Sequence, residues 1–293
     1  STGGSARPVP RPPTRHARPA RPACLATRSG GDAAEAIMTT DTKRKQVAVR
    51  FPIGDKLCTI GGIAKGSGMI HPNMATMLCF VTTDADIAPE LLQKACKDVA
   101  DETFNMISID GDTSTNDMLA ILASGAAGNE PIKSIGREYY HFQQGLMIVC
   151  RRLARELAAD GEGATKLLEC AVTGAPDCQT AKKVAKSVIC SSLFKAAMFG
   201  CDANWGRVLC AIGYADAEFD VDRVGVTLSS AAGSVVVCSN GAGVPFSEEQ
   251  AAKILAQPEI RIEIDMAQGG ETATAWGCDL TYDYVKINGD YRT

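Results

Sequence analysis

Hydrophobic and polar positions recur with two different periods along the chain, and each period predicts its own kind of element. Ile260, Ile262 and Ile264 stand at every second position, as in a strand with one buried face. The clearest helical pattern ends before Asp160-Gly161 and has apolar residues at steps of three and four, namely Phe142, Leu146, Val149, Leu153 and Leu157. Interspersed strands and amphipathic helices predict a mixed α and β fold of packed layers.

Shorter patterns add further elements to this prediction. Strands are predicted at residues 46–51, 56–60, 78–83, 104–109 and 166–173, whereas residues 117–123 fit either a strand or a helix. Pro89 can open a helix and Asp177 can cap another. Ser247 and Gln250 have the spacing of a capping box.

Composition and charge then narrow the class of protein. The 293 residues, 45% of them hydrophobic, suffice for one large or two ordinary domains. A net charge of -4 argues against nucleic-acid binding, which needs a basic field. The twelve cysteines include no CxxC pair, which favours small buried thiols in a reducing compartment over disulfides or a zinc site. No apolar run approaches the roughly 20 residues of a membrane span, and we expect a cytoplasmic protein without a metal.

Residues 1–31 differ in composition from the rest of the chain. Arg and Pro alternate with Ala, and the first acidic residue is Asp32. Because the segment has no apolar period, we predict that it is disordered. An Arg-rich, acid-poor segment is also typical of an organelle transit peptide.

Two loops resemble ligand-binding motifs without matching them. In the glycine-rich residues 61–68, Lys65 precedes Gly66, whereas a phosphate-binding loop has Gly before Lys; a turn between strands and a functional loop both remain open. Residues 110–117 lack the Gly and Glu of a calcium loop, so we predict a polar, hydrogen-bonded loop near a site. His71 and His141 have no partners nearby in sequence, and we interpret both as structural.

Thr76 stands directly before the apolar run predicted as a buried strand. The chain contains no GxSxG nucleophile elbow, but a threonine at a new N-terminus can act as a nucleophile with its own α-amine as base. The pKa of such an amine is about 7.7 to 8.0, near enough to neutrality to accept the hydroxyl proton. By itself an Ala-Thr step before a strand is ordinary, so further residues are needed to support this role.

Six stretches supply that support because together they resemble one family. They are AIMTTDT from Ala36, KGSGMIHPNMATML from Lys65, DGDTSTND from Asp110, DGEGATK from Asp160, LFKAAMFGCDANWGRVL from Leu193 and WGCDLTYDYVKINGDYRT from Trp276. In this order they resemble the bifunctional ornithine acetyltransferase and glutamate N-acetyltransferase family of arginine biosynthesis. The resemblance extends from about Ala33 to the last residue.

The resemblance implies a mechanism in which the chain cuts itself between Ala75 and Thr76. Thr76 then takes the acetyl group of N-acetyl-L-ornithine as an ester and passes it to L-glutamate. The matching substrate-binding positions are Thr39 (with Thr40 beside it), Lys65, Thr76, Glu162, Asn288 and Thr293. A cation, an anion and neutral hydrogen-bonding groups suit a zwitterionic amino acid, whereas Lys65 and Glu162 taken alone would be ordinary surface charges.

The implied fold is a layered αββα sandwich, with residues 32–75 as the end of a first chain and 76–293 as a second chain. The implied assembly is a heterotetramer of two first and two second chains. No cofactor is implied, and acetyl-CoA is a possible co-substrate whose use the motifs do not decide. Neither nucleic acid nor a membrane is an expected partner.

The beginning of the chain departs from the family pattern. Members carry a Ser-Thr-Gly step whose Thr and Gly stabilise the oxyanion of the tetrahedral intermediate. Here Thr2 and Gly3 follow Ser1, and Thr2 lies 37 positions before Thr39, close to the family's separation. We therefore expect Thr2 and Gly3 to be the oxyanion residues, residues 4–31 to be out-of-frame translation, and the family's earlier region to be absent before Ser1.

Two other functions remain compatible with the sequence. A self-cleaving aminopeptidase of the same architecture also frees an N-terminal nucleophile, although Thr as the nucleophile and the stretch after Asn288 resemble the acetyltransferases. The chain can also be an inactive, truncated member of the family, since a missing layer would expose apolar surface and misplace the oxyanion donors.

Overall fold

The structure is a computed structural model that describes residues 30–71, 77–113 and 116–290. The helices α1 to α8 are Gly30–Ala36, Pro89–Glu102, Arg137–Ala159, Cys178–Cys190, Ser192–Phe199, Trp205–Gly213, Glu248–Leu255 and Tyr282–Asp290. The strands β1 to β11 are Lys45–Ile53, Lys56–Lys65, Leu78–Thr83, Ile107–Ser108, Met118–Ala123, Leu167–Ala175, Gly225–Ser230, Gly233–Ser239, Ala242–Gly243, Glu259–Asp265 and Glu271–Cys278.

The strands form two sheets, and helices pack against both of them. The first sheet has the order β1-β2-β3-β5, and the second has the order β4-β11-β6-β10-β7-β8-β9. In the first sheet β2 pairs antiparallel with β1 and β3, while β3 pairs parallel with β5. In the second sheet β6 lies between β11, to which it is antiparallel, and β10, to which it is parallel. This arrangement confirms the predicted layered α/β fold.

Helix α3 supplies the largest continuous part of the core. Its five predicted stripe residues are all fully buried, because a stripe at steps of three and four lies along one side of a helix. The helix packs on β1 and β2 and also contacts β11 and β6 of the other sheet. Gly62 in β2 permits this close approach, since a Cβ there would lie 2.9 Å from a methyl carbon of Leu153.

Several local predictions are confirmed by the element bounds. Pro89 opens α2, the Asp177 side chain accepts a hydrogen bond from the Thr180 N–H at the start of α4, and β10 buries every second residue. Ser247 accepts a hydrogen bond from the Gln250 N–H, but the Gln250 amide turns to the Ser234 carbonyl instead of closing the capping box.

Other local predictions need correction. Residues 104–109 are predicted as extended, but they begin with a 3-10 helix at Phe104–Met106 and form only the short strand β4. The tight helical turn buries the side chains of both Phe104 and Met106. Gly61 and Gly62 lie inside β2 and not in a turn between strands. Helix α1 begins at Gly30, so the predicted boundary at residue 31 lies within it, with Asp32 favourably placed in its first turn.

The cysteines of the described residues can be compared with the prediction of buried thiols. The eleven cysteines in the described part of the chain are free thiols, six of them buried, as predicted for cysteines that pack as small hydrophobic residues. Burial raises the pKa of the thiols of Cys150 and Cys170 far above the ordinary value.

In the described ranges no helix is both long and apolar enough to cross a membrane.

Candidate active site

The predicted nucleophile and several predicted partners lie outside the described residues. These are Thr2, Gly3, Ala75, Thr76 and Thr293. The structure does describe both flanks of the segment that contains Ala75 and Thr76, up to His71 and from Met77. It also describes the other predicted substrate-binding residues, which are Thr39, Lys65, Glu162 and Asn288. The contacts of these residues define the surroundings of the two flanks.

Lys65 is the last residue of β2 and is only 7% exposed. A solvated surface charge is therefore the wrong interpretation of this residue. Its charge acts on the carboxylate of Asp117, whose pKa it lowers against the larger opposing effect of burial. A buried ammonium is costly unless charged or hydrogen-bonding groups face it, which makes this position suited to holding an anionic group.

Glu162 meets the loop that follows Lys65. Its backbone N–H donates to the carbonyl of Ser67 at 2.7 Å. Its carboxylate packs against Gly68, where a Cβ atom would lie only 2.6 Å from Glu162 Oε2. Asn288 of α8 donates from Nδ2 to Glu162 Oε2 at 3.0 Å. Two predicted residues that are 126 positions apart are therefore in direct contact, and Glu162 also contacts the loop that follows Lys65.

The approach of α8 depends on a glycine in the DGEGATK stretch. Gly163 has φ +69°, and a Cβ there would lie 2.5 Å from the backbone nitrogen of Tyr284. Its carbonyl accepts a hydrogen bond from the Thr281 hydroxyl at 2.7 Å. A side chain at this position would push α8 away, because both the backbone conformation and the space favour glycine. Gly163 thus brings Asn288 within reach of Glu162.

Thr39 and Thr40 differ in what their groups contact. The Thr40 hydroxyl lies 2.5 Å from the Ser67 hydroxyl, in the loop after Lys65. The Thr39 backbone N–H donates to Asp41 Oδ2 at 3.1 Å, and its side chain is exposed. The segment before β1 is in this way fixed against the same loop as Glu162.

A cluster of buried charged side chains holds the segment before β1 against the rest of the protein. Lys45 Nζ lies 2.6 Å from Asp41 Oδ1 and 2.5 Å from Asp160 Oδ2, with all three side chains almost fully buried. Asp41 Oδ1 also accepts the Gly66 N–H at 2.7 Å. Burial acts to raise the pKa of Asp41, but the Gly66 N–H and the Lys45 ammonium outweigh it and hold the pKa below its ordinary value.

The polar loop at residues 110–117 contacts both flanks of the segment that contains Thr76. Asp110 accepts the N–H groups of Met69 and Ile70 at 2.7 and 3.0 Å. Asp117 accepts the Met77 N–H at 2.6 Å. The prediction of a hydrogen-bonded loop near a site agrees with these contacts. Tyr284 of α8 also donates to Asp110 at 3.3 Å, which links the loop to the helix that carries Asn288.

His71 has partners that its sequence neighbours did not reveal. Its Nδ1 lies 3.1 Å from the Ser108 hydroxyl and 3.4 Å from the Cys190 sulfur. Burial, together with the nearby charge of Lys186, lowers the pKa of His71. The side chain is therefore neutral near pH 7 and fastens the start of the segment to β4 and α4, in line with a structural role.

Comparison with known proteins now places the chain. The family model described as "ArgJ family" matches residues 1–293. The chain belongs to the ArgJ family. The resemblance predicted from the six motifs is thereby confirmed.

Curated ArgJ relatives are about half identical to this chain. "Arginine biosynthesis bifunctional protein ArgJ 1" of Clostridium acetobutylicum is 53% identical over 261 residues, which cover 89% of this chain and 64% of that protein. "Arginine biosynthesis bifunctional protein ArgJ" of Symbiobacterium thermophilum is 54% identical over 271 residues, which cover 92% of this chain and 66% of that protein. The chain thus spans a little under two thirds of the length of these ArgJ proteins.

A solved ArgJ structure has the same fold. The crystal structure of the arginine biosynthesis bifunctional protein ArgJ from Bacillus halodurans is 45% identical, with a TM-score of 0.69. The match covers 72% of this chain and 98% of the crystallised chain. At this identity the shared fold and the shared family agree.

Sequence reasoning missed the residues that position the ArgJ motifs. It overlooked Asp41, Lys45 and Ser67, and it treated Asp110 and Asp117 only as parts of a polar loop. A buried Lys between two Asp residues has no local sequence signal, because its second carboxylate is 115 positions away. In the described part of the chain, no group of three or more His, Cys, Asp or Glu side chains is placed to hold a metal ion.

The arrangement offers one cation, one anion and neutral hydrogen-bonding groups around a single loop. Lys65 can attract a carboxylate, Glu162 can attract an ammonium group, and Asn288 can orient the Glu162 carboxylate. These are the charges needed to hold an amino acid by its two ends. Chemically, the site can bind a zwitterion beside the segment that contains Thr76.

Proposed function

We propose that this ArgJ chain is an acetyltransferase of arginine biosynthesis that moves the acetyl group of N-acetyl-L-ornithine to L-glutamate. The observation that carries the proposal is that Glu162, in contact with Asn288, bonds to Ser67 in the loop that follows the buried Lys65 and leads into the Thr76 segment. The curated relatives are named arginine biosynthesis bifunctional proteins, which supports the same pathway for this chain.

Self-cleavage between Ala75 and Thr76 would create the nucleophile. The new α-amine of Thr76, with an ordinary pKa of about 7.7 to 8.0, is a base able to take the hydroxyl proton.

Transfer proceeds through two balanced steps. Thr76 Oγ attacks the acetyl carbonyl carbon, the amide C–N bond breaks, and ornithine leaves with the proton on its α-amine. The glutamate α-amine then attacks the ester carbonyl, the C–O bond breaks, and the Thr76 hydroxyl regains its proton. An ester intermediate divides one difficult acyl exchange into two easier steps. Thr2 and Gly3 are the proposed oxyanion donors for both.

The charges of the described residues support a proposed set of substrate contacts. Lys65 attracts the α-carboxylate of either substrate, and Glu162 attracts the side-chain ammonium of ornithine. Thr39 is the better candidate of the two threonines for contacting substrate, because the Thr40 hydroxyl is already bonded to Ser67. Thr293 and Thr76 complete the proposed set. No cofactor is required by this scheme, and acetyl-CoA is a second acetyl donor to be tested.

The proposed assembly and location complete this account. Strand β2 precedes the cut and β3 follows it, yet the two strands pair over six positions from Ile60 to Lys65. The two pieces would therefore stay together after cleavage. We propose that two such pairs form a heterotetramer in the cytoplasm, with small-molecule substrates and without nucleic acid or membrane as partners.

Intact-mass analysis combined with a transfer assay tests the proposal. The purified chain and its Thr76→Ala variant are compared, and the chain is then supplied with N-acetylornithine and glutamate. We expect two fragments divided between Ala75 and Thr76 in the unmodified chain only, and acetyl transfer by the cut protein. An uncut chain would indicate an inactive, truncated member, and release of N-terminal residues from a peptide would indicate the aminopeptidase.

A further inference from the structure

Met77 is the first described residue after the proposed cleavage point, and it is held on both sides of its backbone. Its N–H donates to Asp117 Oδ1 at 2.6 Å, and its carbonyl accepts the Met118 N–H at 3.0 Å. The side chain of Met77 is only 5% exposed. The hydrogen bond from the Met77 N–H to Asp117 matters because this N–H belongs to the peptide unit that also contains the carbonyl and Cα of Thr76.

A planar peptide unit moves as a rigid body, so a hydrogen bond at its N–H restricts the positions that its other atoms can take. One Cα in that plane is the atom that carries the amine and the hydroxyl-bearing side chain of Thr76. Asp117 is the carboxylate in direct contact with this unit. It therefore lies one peptide unit from the proposed nucleophile, on the side that remains attached to Thr76 after the cut.

The upstream flank is held by different groups of the same loop. Ile70 donates its N–H to Asp110 and accepts the Ile109 N–H at 2.7 Å, and the Lys195 ammonium holds the Ile109 carbonyl. These contacts fix the piece that would end at Ala75. Asp110 thus binds the upstream flank at Met69 and Ile70, whereas Asp117 binds the downstream flank at Met77, the residue next to the proposed nucleophile.

The surroundings of Asp117 set its charge. Burial raises its pKa to about 6, against the opposing effects of the Met77 N–H and the Lys65 ammonium, which is the charged group acting on it from the described residues. A carboxyl with a raised pKa in the folded state lowers stability once the pH rises through that value. An ionised Asp117 is therefore a cost to the fold at neutral pH, and costly buried charges are concentrated at functional sites.

We propose that Asp117 is a positioning residue for Thr76, which orients the nucleophile through the Met77 peptide unit during self-cleavage and acetyl transfer. This inference rests on the proposed function of Thr76. The ionised carboxylate forms the stronger, charge-assisted hydrogen bond. Protonation weakens this bond, and replacement by an apolar side chain removes it.

Two substitutions separate positioning from simple folding. Asp117→Asn keeps an oxygen that can accept the Met77 N–H but has no charge, whereas Asp117→Leu has a similar volume and no acceptor. Asp98→Asn, at an exposed carboxylate of α2 that pairs with Lys94, is the matched control. Cleavage, unfolding temperature, kcat and KM are measured for each protein between pH 5 and pH 9.

We expect Asp117→Leu to lower kcat by roughly 10- to 100-fold with little change in KM, because a hydrogen bond to a charged group is lost in the reacting geometry. Asp117→Asn should fall between this variant and the unmodified enzyme above about pH 7. Below about pH 6 its rate should converge with that of the unmodified enzyme, because both then have a neutral side chain. The control should follow the unmodified enzyme throughout.

The outcomes distinguish this inference from the proposed function. A folded Asp117→Leu variant with unchanged cleavage and kcat, in an otherwise active enzyme, would overturn the role of Asp117 and leave the proposed function standing. A rate ratio between the unmodified enzyme and Asp117→Asn that does not change with pH would overturn the role of its charge. An unmodified chain that neither cuts itself nor transfers acetyl overturns both proposals together.

Discussion

Two buried lysines, Lys45 and Lys65, are the first residue of β1 and the last residue of β2, and their surroundings differ in kind. Lys45 is 1% exposed and lies within 2.6 Å of two carboxylates. Lys65 is 7% exposed, and among the described residues it forms no ion pair. The nearby carboxylates also differ: the Gly66 N–H and Lys45 outweigh burial and hold the pKa of Asp41 below its ordinary value, whereas burial raises that of Asp117 to about 6 although Lys65 acts to lower it.

The difference separates a structural charge from one that is available to a ligand. The Lys45 ammonium is saturated by its partners, so it can contribute only to the fold. The Lys65 ammonium is buried without an ion pair among the described residues, which leaves its charge available to an anionic group of a substrate. Substitution by methionine, which has a similar shape, tests this contrast at both positions.

The largest effect should come from Lys45→Met. Without the ammonium, Asp41 and Asp160 face each other in the interior, and breaking such a buried pair costs about 3–5 kcal/mol. We expect a large fall in the free energy of unfolding, measured with denaturant at pH 7. The loss should shrink at low pH, since the depressed pKa of Asp41 contributes stability that is present above its unfolded value and is lost as the pH falls through the folded one. An unchanged midpoint at pH 7 would contradict the structural role.

Lys65→Met should instead reduce activity more than stability. Loss of a charged hydrogen-bonding partner for the substrate carboxylate should lower kcat/KM by roughly 10- to 100-fold. Stability should change little or increase, because a buried charge is removed. Steady-state kinetics alongside thermal unfolding would show this, and a variant as unstable as Lys45→Met would remove the distinction between the two lysines.

A smaller effect is expected from Gly68→Ala, which acts on the anionic side of the site. The new methyl group would lie 2.6 Å from Glu162 Oε2 and push the carboxylate aside. We expect KM for N-acetylornithine to rise by about tenfold, as for a weakened charged contact. Gly213→Ala is the matched control, since nothing lies within 4 Å of its Cβ position. Equal kinetics of the two variants would argue against Glu162 as a substrate contact.

The smallest effects should distinguish the two neighbouring threonines. Thr40→Ala loses the hydrogen bond to Ser67 and should lower the free energy of unfolding by about 0.5–1.5 kcal/mol. Thr39→Ala should leave stability unchanged and raise KM a few-fold. Parallel denaturation and kinetic measurements decide the point, and the reverse pattern would assign the substrate contact to Thr40.

The same contrast explains what the sequence could predict. The α3 stripe, the alternation of β10 and the Asp177 cap are local, because each depends on residues within one element. The motifs locate Lys65, Glu162 and Asn288 in the sequence, but they do not reveal that Asn288 contacts Glu162. The Lys45–Asp160 pair joins residues 115 positions apart, and no local pattern encodes such a contact.

Burial on both faces accounts for a further difference between prediction and structure. Residues 166–173 are predicted as a strand from an alternating pattern, but β6 is an interior strand of its sheet and is buried on both faces over most of its length. Helices α3 and α4 both pack against it. A strand in this position needs apolar residues on both sides, so period-two alternation is weak there.

Detection of an acetyl ester on Thr76 tests the central claim most directly. The cut protein is incubated with N-acetylornithine without glutamate, and its fragments are analysed by intact mass and peptide mapping. The account predicts that the fragment beginning at Thr76 gains the mass of one acetyl group on that residue, and that glutamate removes it. A fragment that stays unacetylated while transfer proceeds, or an acetyl group on another residue, would contradict it.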